Sequence, residues 1–99
     1  MATFIATLKF TAKGVQNLRE SPKRATAFTA AAKKLGVKVI DLYWTLGPFD
    51  GVILFDAPDD DTATAAMLSL AGQGNVQTTT ARAFDRTEIE KVIGMFPKR

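Results

Sequence analysis

From Thr3 to Phe10 the chain alternates, with Phe4, Ala6, Leu8 and Phe10 on one side and Thr3, Ile5, Thr7 and Lys9 on the other. A period of two is that of a strand whose faces meet different surroundings. The period then lengthens. Thr11 has the hydroxyl to cap a short helical stretch reaching about Arg19, and Ser21-Pro22 opens a longer helix with a serine cap and a proline in its first turn. In that second piece Ala25, Phe28, Ala32 and Leu35 recur at spacings of three and four, an apolar stripe that packs on a sheet, and Gly36 supplies the stop.

Val37 to Leu46 returns to strand character in two sets: Val39, Asp41, Tyr43 and Thr45 against Ile40, Leu42, Trp44 and Leu46. The turn formers Gly47-Pro48-Phe49-Asp50-Gly51 lead straight into Val52-Ile53-Leu54-Phe55, which predicts an antiparallel hairpin. Pro58 and Asp59 open a further helix, with acidic residues at its positive end, an inward stripe of Ala63, Ala66, Met67 and Leu70, and an end at Gly72-Gln73-Gly74. Asn75 to Phe84 reads as a half-buried strand of ambiguous parity: Val76, Thr78, Thr80, Arg82 and Phe84 form one set, Gln77, Thr79, Ala81 and Ala83 the other. Thr87-Glu88-Ile89-Glu90 has capping-box spacing, and Ile89, Val92, Ile93 and Phe96 are the apolar positions of a short closing helix.

The order is βαββαβ, an α+β, ferredoxin-like arrangement in one domain spanning residues 1–99. Right-handed crossovers place the first and third strands at the centre of a four-stranded antiparallel sheet with both main helices on one face. The third strand is apolar at consecutive positions, so it asks for burial on both faces, and one helical layer covers only one. A second copy, sheet against sheet, is the simplest cover: a two-fold dimer with a barrel-like interior.

Composition narrows the chemistry. The 99 residues contain no cysteine and no histidine, which removes disulfides, thiolate and Ser-His-Asp catalysis, and the usual zinc, haem and non-haem iron ligands. Oxygen ligands are concentrated in Asp59-Asp60-Asp61, three neighbours that diverge on a helix start, so neither metal nor cofactor is expected. The amino end lacks a basic region ahead of its apolar stretch and carries Lys9 inside it, and no apolar run is long enough for a membrane span, which makes the cytoplasm the expected location. The net charge of +3 admits an anionic partner. Lys23, Arg24, Lys33, Lys34 and Lys38 lie on or just after one helix, however, and Lys98 and Arg99 end a fraying tail. They read as a solvated surface, and nucleic acid is disfavoured as a partner.

Candidate ligand-binding residues follow from the bare sheet face. Thr7 and Lys9 of the first strand and Arg82, with Thr78 or Thr80, of the last would gather there to hold an anionic or oxygen-rich small molecule. The competing reading is a hydrated interior in which Lys9 and Arg82 pair with Asp41 or Asp56. Asp41 and Tyr43 share a polar side of the second strand, and Trp44 belongs to the opposite, packed side, which is either the helix-side core or the contact between copies. Asp50 has a turn role, bonding nearby backbone while Phe49 plugs against the helices; the functional alternative sets Asp50 at a pocket mouth as an acceptor or base.

The run from Leu35 through the hairpin to Asp60, with Ala6 to Thr11 and Gly72 to Arg82, resembles the GYD domain family over about residues 1 to 95. The family's Gly-any-Tyr-Asp turn corresponds to Gly47, Pro48, Phe49 and Asp50, with phenylalanine standing where tyrosine is expected. The resemblance implies a bacterial or archaeal protein of the dimeric α/β-barrel group. That group includes cofactor-free oxygenases, dismutating enzymes, stress-related proteins and ligand-sensing modules, so fold analogy does not select a function. Two readings stand: a homo-oligomeric module that binds a small ligand or a partner without catalysis, and a cofactor-independent oxygenase or isomerase acting on a small aromatic or enolic substrate. An apolar pocket converging on Lys9, Asp41 or Asp50 would distinguish the second.

Overall fold

The computed structural model describes residues 1–98; Arg99, assigned above to the tail, lies outside them. Its elements in chain order are β1 (Ala2–Phe10), α1 (Ala12–Gln16), a 3-10 turn (Leu18–Glu20), α2 (Ser21–Lys34), β2 (Lys38–Trp44), β3 (Gly51–Ala57), α3 (Asp60–Gly72), β4 (Val76–Ala83) and α4 (Arg86–Ile93). The four strands form one antiparallel sheet in the order β2-β3-β1-β4, as the expected ferredoxin-like topology requires.

Local chemistry accounts for most of the boundaries. The Thr11 hydroxyl accepts from the Gly14 N–H to start α1, and the Asp59 carboxylate accepts from the Thr62 N–H to start α3. Gly36 and Gly74 take φ of +85° and +83° where α2 and α3 give way to strands. Two caps differ from expectation. Ser21 is the first residue inside α2 rather than its cap, and its hydroxyl accepts from Trp44 Nε1 at 2.9 Å. The closing helix is capped by Asp85, whose carboxylate accepts from the Glu88 N–H while Glu88 accepts from the Asp85 N–H. The box therefore lies two residues before the one at Thr87, because β4 delivers Asp85 in an extended conformation.

The core lies between the sheet and the α2–α3 layer. Phe4 and Phe55 are cross-strand partners whose rings stack at 5.4 Å, and Ala6, Ile53 and Ala57 complete the inner strands. Phe28 and Ala32 of α2 and Ala63, Ala66, Met67 and Leu70 of α3 close over them. Of the apolar stripe predicted for α2, Leu35 stays 47% exposed. The whole stripe predicted for α3 is buried.

In β2 the parity departs from a strict period of two, and in β4 it is resolved. A bulge at Ile40 shifts the β2 register, so Val39 joins Leu42 and Trp44 on the helix side instead of Asp41 and Tyr43 on the other. In β4, Val76, Thr78, Thr80 and Arg82 stand opposite Phe10, Leu8, Ala6 and Phe4, and therefore on the helix side. Gln77, Thr79, Ala81 and Ala83 occupy the open face. No helix among the described residues is long and apolar enough to cross a membrane.

Candidate functional site

The open face is built from three rows that run across all four strands. Tyr43, Val52, Thr7 and Thr79 form the first; Asp41, Leu54, Ile5 and Ala81 the second; Lys38, Asp56, Thr3 and Ala83 the third. Alternation along each strand puts these twelve on one surface because their neighbours are committed to the core. Val52, Leu54, Ile5 and Ala81 give it an apolar centre, and Ile5 and Tyr43 remain 39% and 58% exposed. Around that centre sit Lys38 and Asp41 on β2, Asp56 on β3 and Lys9 on β1. The face is balanced in charge although the whole chain is at +3.

Four of the six candidate residues, Thr7, Lys9, Asp41 and Tyr43, thus share the open face. Arg82 does not join them. It sits on the opposite side of the sheet, where it donates to the carbonyls of Thr3 and Ala83, pairs with Glu88 at 3.3 Å and lies 4.4 Å over the Phe84 ring. These contacts fasten the start of α4 to the end of β4. The alternative ion pairs are likewise not formed: Asp56 accepts from the Thr3 hydroxyl at 2.6 Å, and Arg82 pairs with Glu88.

Asp50 is engaged in holding the hairpin loop to β1. Its N–H donates to Leu8 O at 2.7 Å, its carboxylate accepts from the Phe10 N–H at 2.8 Å, and its carbonyl accepts from the Thr45 N–H. One residue thereby extends the β1–β3 ladder past Gly51 with a side-chain acceptor. Phe49 is half-buried and stands outside the core cluster, so it is not the plug the turn suggested. Lys9 and Asp41 lie on an exposed sheet surface and line neither of the two best-formed cavities; Asp50 does border an apolar cavity on the helix side, with its carboxylate engaged by the Phe10 N–H. Asp59 is spent on its helix cap, and among the described residues no three potential metal-binding side chains gather.

A second uncovered surface was only half legible. The periodicity of Ile89, Val92, Ile93 and Phe96 announced a closing helix, but α4 buries none of its residues and Ile93 and Phe96 are 52% and 67% exposed. Sequence reasoning also missed Arg24, taken for part of a solvated basic pair. Lys23 is exposed beside Glu20, whereas Arg24 turns one guanidinium nitrogen to the Asn17 carbonyl and the other into the protein.

Comparison with known proteins agrees with this architecture. The GYD domain matches residues 4–93. A Thermus thermophilus protein named glutamine synthetase and cystathionine beta-lyase binding protein is 37% identical over 84 residues, covering 84% of this chain and 88% of its own. A crystal structure of a protein from Thermus thermophilus superposes with a TM-score of 0.56 at 22% identity, covering 86% of this chain and 95% of that one. The crystal structure of MtbAldR gives a TM-score of 0.61 at 14% identity over 86% of this chain and 54% of that one. At such identities the two structures speak for the fold alone. The match over nearly the whole βαββαβ unit, together with the 37% identical relative, makes the chain a member of the GYD domain family.

Proposed function

We propose that this chain is a non-catalytic protein-binding module that first pairs with a second copy of itself through the open sheet face. The observation that carries the reading is the apolar centre at Ile5, Val52 and Leu54, which no element among the described residues covers. Apolar surface yields roughly 25 cal/mol per Å² on burial, a strong incentive to cover it. The balanced charges favour a like copy over an anionic partner, since a two-fold operation can bring Lys9 and Lys38 of each copy toward Asp41 and Asp56 of the other.

The sheet alone does not supply a standard interface. Four strands of about seven residues project roughly 450 Å², short of the ~800 Å² per partner of a standard interface. The exposed stripe of α4, at the end of the neighbouring edge strand, offers the balance. Protein binding beyond self-association is supported by the relative that is named as a binding protein for two enzymes. The test is to mix the purified chain with purified glutamine synthetase and with purified cystathionine beta-lyase and follow complex formation by light scattering. A discrete complex with either enzyme, with no change in the chain's own covalent mass, is the expected result. Failure to bind both would overturn the protein-binding reading.

A further inference from the structure

On the helix-covered side of the sheet a cavity remains between α2 and the ends of β1 and β2, bordered also by the beginnings of β3 and β4 and the last turn of α3. It measures about 60 Å³ over the positions open to the centre of a water molecule, room for about four waters. Its inner wall is apolar, formed by Phe10, Phe28, Leu42 and Leu70. Its polar border includes Ser21, Arg24, Trp44 and Asp50 beside Gln73 and Asn75, and the first four are not equally satisfied.

Trp44 Nε1 donates to the Ser21 hydroxyl oxygen, which leaves that hydroxyl's own proton to be given elsewhere. Asp50 already accepts from the Phe10 N–H. Arg24 is the exception. Its Nη1 donates to the Asn17 carbonyl at 2.7 Å, and its Nη2 is sealed from solvent with no acceptor among the described residues. A charged donor closed into a protein without an acceptor is a strained arrangement, and the acceptor that matches a guanidinium best is a carboxylate.

We infer that this cavity binds a small monocarboxylic acid with a compact apolar tail. The tail, about four or five heavy atoms by the space available, lies among Phe10, Phe28, Leu42 and Leu70. The carboxylate meets Arg24 Nη2 and the proton of the Ser21 hydroxyl, with the cavity wall at Arg24 opening by the width of an oxygen. Asp50 on the same border disfavours a second negative charge and so selects against dicarboxylates. The site lies within one chain and on the other side of the sheet from the open face, so it does not depend on self-association.

The test is a titration of the intact protein with 3-methylbutanoate, followed by amide NMR shifts. Saturable shifts centred on Ser21, Phe28 and Leu42 are expected. The uncharged isostere 3-methylbutanamide and the dicarboxylate succinate should each bind at least ten-fold more weakly. Arg24→Gln should lose the acid by a similar factor; if that variant does not fold, the comparison of acid with amide on the unaltered protein decides. Equal binding of acid and amide, shifts confined to Ile5 and Ala81, or no saturable shift at millimolar acid would each overturn the proposal. Repeating the titration on a variant monomerised at the sheet face separates this site from the assembly: binding there is expected to be unchanged.

Discussion

Gly14 is held where no other residue fits. A Cβ built on it would fall 2.1 Å from the Asn75 carbonyl oxygen, the same oxygen that accepts from the Thr11 N–H. Backbone is on both sides of that contact, so relief requires α1 to lift away from the turn before β4. Gly14→Ala is expected to destabilise the fold by ~1–3 kcal/mol, measured by urea denaturation. Asp50 works at the same scale. Asp50→Ala would strand the Phe10 N–H and should cost ~1–3 kcal/mol, read in the same assay. That Asp50 serves a turn was legible from Gly47-Pro48-Phe49-Asp50; its partner was not, because Phe10 is 40 positions away and only the completed sheet brings it near. Arg24 was misread for a similar reason. Adjacent residues on a helix differ by about 100° in direction, so Lys23 and Arg24 look like one basic pair in sequence and point to different surroundings in space.

Among the elements, those with strong apolar contrast were readable and those without it were not. The four-residue stripe of α3 is buried as spaced. In β4 three successive threonines provide no contrast between faces, and the parity is fixed only when Phe10 pairs with Val76 and Phe4 with Arg82. In β2 the bulge at Ile40 reverses the alternation in mid-strand, an event that a strict period of two does not contain. The helix starts carry a prediction in pH. The Asp85 N–H and then the Arg82 guanidinium hold the Glu88 carboxyl below its ordinary range, and the side-chain and backbone groups of Thr62 do the same for Asp59. Because these values are lowered in the folded state, the stabilisation is complete above the unfolded carboxylate range and is lost as pH falls through the lowered values. Protection of the first-turn amides of α3 and α4, measured against their intrinsic exchange rates, should fall as pH drops below about 4, and Glu88→Gln should remove the α4 component of that response. Protection at α4 that is indifferent to pH would count against the capping box.

At the scale of the whole molecule the chain is drawn out. Its radius of gyration is 15.3 Å with extents of 56 × 31 × 19 Å, against the ~13 Å of a compact chain of about 100 residues. α4, with no buried residue, is an element that a single copy leaves without a core, and an eight-residue helix has little stability by itself. The sequence pointed to the same incompleteness from another direction. Gly51 to Phe55 asked for burial on both faces, and Val52 and Leu54 are half-exposed where Ile53 and Phe55 are buried. The sheet face and α4 thus both ask for a partner.

Native mass spectrometry of the unaltered chain beside a Leu54→Glu variant, with folding of both verified by circular dichroism, tests the claim of self-association through the sheet most directly. The account predicts twice the 10.7 kDa chain mass, or an even multiple of it, for the unaltered protein and a single chain for the folded variant. A monomeric unaltered protein at micromolar concentration, or a variant that assembles as well as its parent, would contradict it.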